Sequence, residues 1–245
     1  MNVLIIIPTY NEHENLPVLA RQILDTYPYR VLVVDDHSPD GTGDVADALA
    51  AQYPGRLEVL HRTGDRGLGL SYVDGFKRAL TTDAQFICQM DADLSHDPRY
   101  LPDLVDAAAT RYDVVLGSRY LNGVSVVNWP LRRIMLSSFA NAYVRTITGL
   151  QNRDSTSGYR CWKREALARL SLDRILSHRY AFMVETIFEA ARLGCRVGEA
   201  PIVFIERRKG ASKMSWRVLL ESMIVPWRLV LRNRGRVQAP PGMTA

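Results

Sequence analysis

The feature that most constrains this chain is a rhythm. Short β-branched apolar runs alternate with segments of helical periodicity through the whole first half. The pattern predicts strand Val3 to Pro8, helix Asn15 to Thr26, strand Val31 to Val34, helix Asp40 to Gln52 and strand Leu57 to His61. It continues with helix Leu70 to Leu80, strand Phe86 to Met90, helix Pro98 to Thr110 and strand Val114 to Gly117. Strands apolar along their whole length are buried on both faces, and a strand reached through a helix runs parallel to its predecessor. The expected fold class is therefore α/β, a mostly parallel sheet with helices on both faces. After Arg119 the pattern becomes helix Arg132 to Thr148, a polar stretch Gln151 to Gly158, helix Tyr180 to Leu193, a strand near Val197 to Phe204 and a last helix Ser215 to Arg232. A kink or break is expected at Pro226, which lacks an amide hydrogen and crowds the preceding turn.

With 245 residues, 47% of them apolar and 23% charged, the chain can bury a sizeable core, and a disordered chain is excluded. Cys88, Cys161 and Cys195 form an odd set without a Cys-x-x-Cys pair, against both a disulfide framework and a structural zinc site, so a reducing compartment is expected. The opening Met1 to Pro8 has no basic flank and is too short for a secretory signal. The apolar run Val218 to Leu231 is interrupted by Glu221 and Arg228, so no transmembrane helix is expected. The net charge of +5 is uneven: Glu206 to Arg236 holds nine Lys or Arg against two Glu, a surplus of +7 that leaves the remainder at −2. Such a patch suits nucleic acid, an anionic membrane or a phosphorylated substrate, and composition does not choose among them. The Pro- and Gly-containing tail 237–245 is expected to be disordered.

Chemistry concentrates where strands end. Asp91-Ala92-Asp93-Leu94-Ser95-His96 directly follows the apolar strand, and carboxylates at i and i+2 on an extended turn can reach one hard divalent cation and its nucleotide phosphates. The plainer alternative is that acidic residues end the strand and Asp97 caps the helix opening at Pro98. Asp35 and Asp36 end the second strand in the same way. Gly67-Leu68-Gly69 lacks the third glycine of a dinucleotide fingerprint, and no Walker lysine motif exists. Those glycines either let the backbone pass close to a nucleotide or form an ordinary turn. Arg119 follows a strand, while Arg133 and Ser137 lie one helical turn apart and can share a face.

The motifs PTYNE, VVDDHSPDGT, MDADLSH, GSRY, WPLRR, SGYR and RRKGASKM, in that order over roughly Val3 to Lys213, resemble the family 2 inverting glycosyltransferases of GT-A fold. Within them the chain is similar to the polyprenol monophosphate mannose synthases. The resemblance implies a catalytic domain over 1–213, a basic amphipathic segment over 214–236, and transfer of mannose from GDP-mannose to a polyprenyl phosphate with inversion. It implies that Pro8, Tyr10, Glu12, Asp36 and Asp91 hold the nucleotide sugar and that Asp91 and Asp93 hold Mg2+ or Mn2+; Ser95 is left out of the metal set. Arg119, Arg133 and Ser137 would clamp the acceptor phosphate, and Arg207 and Lys213 would belong to a loop over the phosphates. A UDP-glucose-dependent polyprenyl-phosphate glucosyltransferase of the same fold is the alternative. A noncatalytic module binding anionic membrane or nucleic acid is disfavoured by the intact Asp-x-Asp and arginine set, and no nucleic-acid partner is expected. The lipid acceptor implies peripheral association with the cytoplasmic face of a membrane, with a membrane partner protein left open. For Trp216, Val218, Leu219, Ile224, Trp227 and Leu231, interleaved with Arg217, Arg228 and Arg232, two readings stand side by side: an interfacial amphipathic segment, or a helix packed on the core with a solvated basic face.

Overall fold

The computed structural model describes residues 1–175, 177, 181–206, 216–233, 235 and 237, with only the backbone described for 216–222. Among the described residues nine strands are formed: β1 (Val3–Thr9), β2 (Arg30–Asp35), β3 (Leu57–His61), β4 (Phe86–Gln89), β5 (Val114–Ser118), β6 (Val126–Val127), β7 (Arg160–Lys163), β8 (Val197–Pro201) and β9 (Phe204–Ile205). Among the same residues the α-helices are α1 (Leu16–Leu24), α2 (Thr42–Gln52), α3 (Leu68–Leu80), α4 (Leu101–Thr110), α5 (Leu131–Thr148), α6 (Arg164–Ala168), α7 (Ala181–Arg192) and α8 (Trp216–Arg232). Seven strands make one sheet in the order β3-β2-β1-β4-β7-β5-β8, and β6 pairs with β9 separately. Only β7 runs against its neighbours in the large sheet, pairing antiparallel with both β4 and β5.

The two-sided burial follows from strand alternation. Leu4, Ile6, Leu32 and Val34 face one way and pack with Tyr72 and Phe76 of α3, Trp162 of β7 and Phe182 of α7. Val3, Ile5, Ile7, Val31 and Val33 face the other way onto Leu16, Leu19 and Ile23 of α1, Leu49 of α2 and Leu104 of α4. Helix α3 lies so close to β1 that a Cβ added at Gly75 would sit 2.7 Å from Ile6 Cγ2.

The βαβ rhythm of the first half is observed with boundaries close to those expected, and several elements correct the sequence reading. The expected helix Pro98 to Thr110 opens with a 3-10 turn, Pro98–Tyr100, before α4 begins. The strand expected near Val197 to Phe204 is two strands in two sheets, β8 and β9. Strand β7 and the short α6 were not expected at all. No break occurs at Pro226: α8 is one helix with that proline inside it, and the flanking Val225 and Leu229 are buried in the main core. Helix α8 packs on α5 and α7, held by Tyr143 Oη donating to Met223 O (2.8 Å) and Trp227 Nε1 donating to Tyr143 Oη (3.0 Å). Arg232 turns onto α7, bonding Glu185 (3.2 Å) and Glu189 (3.0 Å), while Ile224, Trp227, Arg228 and Leu231 remain exposed. One face of the helix is thus packed on the core, and Ile224, Trp227 and Leu231 stay outside it. Among the described residues no helix is long and apolar enough to cross a membrane. The tail expected to be disordered lies, apart from Val237, outside the described residues.

Because the approach of α3 to β1 leaves no room at Gly75, Gly75→Ala is expected to destabilise the protein by about 1–3 kcal/mol through overpacking. Thermal melting measures this, and an unchanged Tm would contradict the close approach.

Candidate active site

The chain runs from β1 outward to β2 and β3, then returns through α3 to place β4 on the other side of β1. Ligands in open α/β sheets bind outside the carboxyl ends of the strands where the order reverses in this way. Three turns leave that edge, and each contains a non-glycine residue in left-handed conformation: Asn11 (φ 60°) after β1, His37 (φ 58°) after β2 and Leu94 (φ 62°) after β4. At leucine this conformation costs about 1–3 kcal/mol, so the surrounding bonds must enforce it. Ser95 N (3.1 Å) and Ser95 Oγ (2.5 Å) both donate to Asp93 Oδ1 and close the turn around Leu94.

The nucleotide-side residues expected from the sequence gather on this edge. Pro8 is buried in β1 beside Val34. Tyr10 is half-buried beneath Arg66, whose guanidinium carbon lies 4.9 Å from the ring centroid and whose Nη1 donates to Tyr10 Oη at 2.9 Å. Glu12 accepts from Asn15 Nδ2 at 2.8 Å. The two aspartates ending β2 divide their work. Asp35 accepts from Thr9 Oγ1 (3.0 Å), Ser38 Oγ (2.6 Å) and Ser38 N (3.1 Å), which builds the turn. Asp36 is ion-paired with Arg62 and accepts from Gly67 N at 2.8 Å, so it anchors the start of α3. Arg62 also holds Asp74 of α3 at 2.7 Å. Neither Arg62 nor Arg66 stood out in the sequence, since a lone arginine after a strand carries no spacing signal.

Asp91 and Asp93 stand on the turn after β4. Tyr72 Oη donates to Asp91 Oδ1 at 3.2 Å, and burial followed by the Asp91 charge pushes that phenol well above its ordinary value, so it remains a donor. Asp91 N donates to His96 Nδ1 at 3.2 Å, and burial lowers the pKa of this histidine, keeping the ring neutral with its proton on Nε2. The bare backbone of Gly158 fits against the Asp91 carboxylate, where an added Cβ would stand 3.4 Å from Oδ2. The two carboxylates offer only hard oxygen atoms, the donor type that magnesium and manganese take, and magnesium uses one or two carboxylates with substrate phosphates completing its shell. The donor set fits such an ion. Among the described residues no group of three or more His, Cys, Asp or Glu could hold a metal.

The arginines form a second cluster. Arg119 is 9% exposed and Asp154 fully buried; Nε (2.7 Å) and Nη2 (2.6 Å) of the guanidinium make a two-toothed pair with the carboxylate, and Arg119 N adds a third bond at 3.0 Å. Burial opposes both charges, yet their mutual attraction wins: Arg119 is raised and Asp154 held below the ordinary carboxylate value. Rings surround this guanidinium, with Trp129 at 5.4 Å, Tyr120 at 5.5 Å and Phe204 at 5.6 Å. Arg133, on α5, stacks on the same Trp129 at 4.1 Å and is ion-paired with Glu206. Ser137 follows one turn later on that helix. His96 stacks on Tyr159 at 4.9 Å and meets Phe204 edge-on at 5.4 Å, so the aromatic packing joins the aspartate turn to the arginine cluster. Arg160, of the unexpected β7, is fully buried and satisfied by Ser157 O (2.7 Å), Ser155 O (2.9 Å) and Thr186 Oγ1 (3.0 Å). Burial lowers its pKa to about 9, so it is still cationic at neutral pH. Arg207 and Lys213 lie outside the described residues.

The Arg119–Asp154 pair dictates a pH response. The folded-state pKa of Asp154 is depressed, so its stabilisation is fully present above the unfolded value near 4 and is lost as the pH falls through the lower folded value. Asp154→Asn strands a buried guanidinium and is expected to cost about 3–5 kcal/mol at pH 7. Denaturant titrations from pH 7 downward should show the gap between wild type and variant narrowing below about pH 4. A gap that stays constant would contradict the pairing.

Comparison with known proteins agrees with this geometry. Residues 4–176 match the family model described as glycosyl transferase family 2. An undecaprenyl-phosphate mannosyltransferase of Micrococcus luteus is 46% identical over 238 residues, covering 96% of this chain and 97% of that protein. A polyprenol monophosphomannose synthase of Mycolicibacterium smegmatis is 43% identical over 243 residues, covering 98% and 90%. Among solved structures, a mannosyltransferase from Pyrobaculum calidifontis in complex with GDP-mannose and Mn2+ aligns with a TM-score of 0.67 at 22% identity, over 98% of this chain and 66% of that one. A glucosyl-3-phosphoglycerate synthase from Mycobacterium tuberculosis in complex with Mn2+ and UDP-glucose aligns with a TM-score of 0.67 at 16% identity, over 100% and 83%. The sheet order and these neighbours make the fold the GT-A type, and the chain belongs to glycosyl transferase family 2.

Proposed function

We propose that this glycosyltransferase moves a mannosyl group from GDP-mannose to the phosphate of a polyprenyl phosphate, with inversion at the anomeric carbon. The observation that carries the reading is the near full-length likeness to two relatives named for polyprenyl-phosphate mannosyl transfer. An acceptor phosphate oxygen forms the new bond to the anomeric carbon while the bond to GDP breaks, and the electron pair leaves on the diphosphate. No strong general base is required, because a phosphate monoester has a second pKa of about 6 and is already largely dianionic near pH 7. The chain's task is to bring two anions together and to receive the negative charge that develops on the leaving group.

On the donor side, Pro8, Tyr10, Glu12 and Asp36 would line the nucleoside, with Arg62 fixing the rotamer of Asp36 and Arg66 holding Tyr10. Asp91 and Asp93 would hold a magnesium or manganese ion, which when bound supplies positive charge to the diphosphate. On the acceptor side, Nε and Nη2 of Arg119 are committed to Asp154 and Thr156, which leaves Nη1 for a phosphate oxygen. Arg133 must exchange the Glu206 carboxylate for the phosphate, with Ser137 donating from the next turn. Arg207 and Lys213, in the basic stretch that follows Glu206 in sequence, would add further cations. Helix α5 exposes Leu131 (71%), Met135 (63%) and Phe139 (68%) close to Arg133 along the chain, and with the outer strip of α8 these residues offer an apolar surface for peripheral contact with a lipid bilayer.

The test compares GDP-mannose with UDP-glucose as donors to a polyprenyl phosphate in the presence of Mg2+ or Mn2+. Lipid-linked mannose is expected, and lipid-linked glucose alone would overturn the donor assignment. Arg133→Ala is expected to weaken use of the acceptor far more than donor binding, read by acceptor kinetics beside calorimetry with GDP-mannose. Equal losses would move Arg133 to the donor side.

Glu206→Gln releases Arg133 from a half-exposed ion pair worth about 1 kcal/mol or less. Its expected effect is an acceptor KM lower by up to about fivefold with donor affinity unchanged. An acceptor KM that rises would mean that Glu206 organises the site rather than competing with the phosphate.

A further inference from the structure

Beside the Arg119–Asp154 pair lies an open cleft of about 400 Å3, lined by Tyr120, Ser138, Asn141, Arg145 and Arg153. Three of these residues share one face of α5 at i, i+3 and i+7 spacing. Tyr120 follows β5. Arg153 belongs to the polar stretch before β7, which is fastened to β8 through Glu199: its carboxylate accepts from Arg153 N and Asp154 N, each at 2.9 Å.

The lining is rich in donors and contains no carboxylate. Arg145 is half-buried and makes no side-chain hydrogen bond or ion pair among the described residues. Arg153 commits only Nη1, to Leu121 O at 2.9 Å. The Tyr120 hydroxyl is buried and has no hydrogen-bond partner among the described residues, the kind of unmet polar group that folded proteins rarely keep without use. Asn141 forms a wall rather than a donor, because its amide nitrogen is already shared among Ser137 O, Asp154 and Thr156. Asp154 behind that wall is committed to Arg119 and offers Arg145 and Arg153 no charge of their own.

Two guanidinium groups on one cleft without a carboxylate between them repel each other, and an anion seated there relieves both. Their planar forks match the oxygen spacing of phosphate better than that of a spherical anion. We propose that this cleft is a second anion site, taking a phosphate monoester or a phosphodiester headgroup, separate from the acceptor-phosphate cluster of Arg119 and Arg133. A free phosphate and a membrane lipid present the same chemistry to it. The site's ligand does not depend on which sugar the enzyme transfers.

The test uses the full chain. Thermal melting is followed during titration with inorganic phosphate at constant ionic strength. Co-sedimentation is measured with vesicles of phosphatidylcholine alone and of phosphatidylcholine with phosphatidylglycerol. Phosphate is expected to raise the Tm of the wild type. That rise should disappear in Arg145→Gln and Arg153→Gln, shrink in Tyr120→Phe and persist in Arg133→Ala. Vesicle binding that falls several-fold in the two arginine variants, only with phosphatidylglycerol present, identifies a lipid headgroup as the occupant; unchanged vesicle binding identifies a soluble phosphate. Absence of a phosphate-dependent rise in the wild type overturns the proposal, as does a rise that both arginine variants keep or that Arg133→Ala abolishes. Tyr120→Phe removes a single oxygen atom, so it decides the matter if an arginine variant fails to fold.

Discussion

The pairing of β1 with β4 is the constraint on which the rest of the structure depends. Successive strands β1, β2 and β3 are laid down in one direction, and β4 then adds on the opposite side of β1. At that junction no crossover helix covers the carboxyl ends of the strands, so the turns leaving them are free to meet a ligand. The register aligns Ile6 with Gln89, and Met90 N donates to Ile6 O at 3.1 Å, which carries Asp91 to the level of Pro8. A slip of one residue would turn Ile5 and Ile7 into the wrong layer, so the core itself fixes the height at which the aspartates emerge.

Around that edge the chain accepts buried charge and settles it by pairing. Arg62 with Asp36 stitches β2, the segment after β3 and α3 together on the side of the proposed nucleotide site. Arg119 with Asp154 stitches the end of β5 to the stretch before β7 on the side of the proposed acceptor site. Arg160 completes the frame through neutral oxygen atoms, the Ser155 and Ser157 carbonyls and the Thr186 hydroxyl, which holds Ser155 and Ser157 in place behind Gly158 and thus behind Asp91. Breaking such a pair on one side costs far more than the pair itself contributes, because the remaining charge is left in a poor solvent. The buried cations of this rim are thus each held by their partners. Arg133 differs: it is half-exposed, stacked on Trp129 and paired with the Glu206 carboxylate, which the proposed acceptor phosphate would replace.

How much of this was legible in the sequence depended on whether the signal was local. Strands β1, β2, β4 and β5 announced themselves through apolar runs, β3 through its place in the alternation although Glu58 interrupts it, and Asp91 and Asp93 through their place just after β4. Arg133 and Ser137 were readable because helical spacing is a short-range property. Strand β7 was not, since Arg160-Cys161-Trp162-Lys163 carries two charges in four residues; its burial rests on pairing with β4 and β5 and on Trp162 Nε1 donating to Gln89 Oε1 at 2.8 Å. Asp154 and Arg62 were missed for a related reason: each matters through a partner 26 or more residues away in the chain. At Pro226 the helix is not broken, because the local penalty of proline was outweighed by packing of its neighbours Val225 and Leu229.

We propose that the turn after β4 holds a divalent cation only together with a nucleotide diphosphate, through Asp91 and Asp93. Titration with Mn2+ in the presence and absence of GDP, followed by electron paramagnetic resonance, reads it directly. The account expects one tightly bound Mn2+ per chain when GDP is present, and affinity weakened by more than about tenfold in Asp91→Asn and in Asp93→Asn while both variants stay folded. Binding of equal strength in the wild type and both variants, or binding indifferent to GDP, would contradict it.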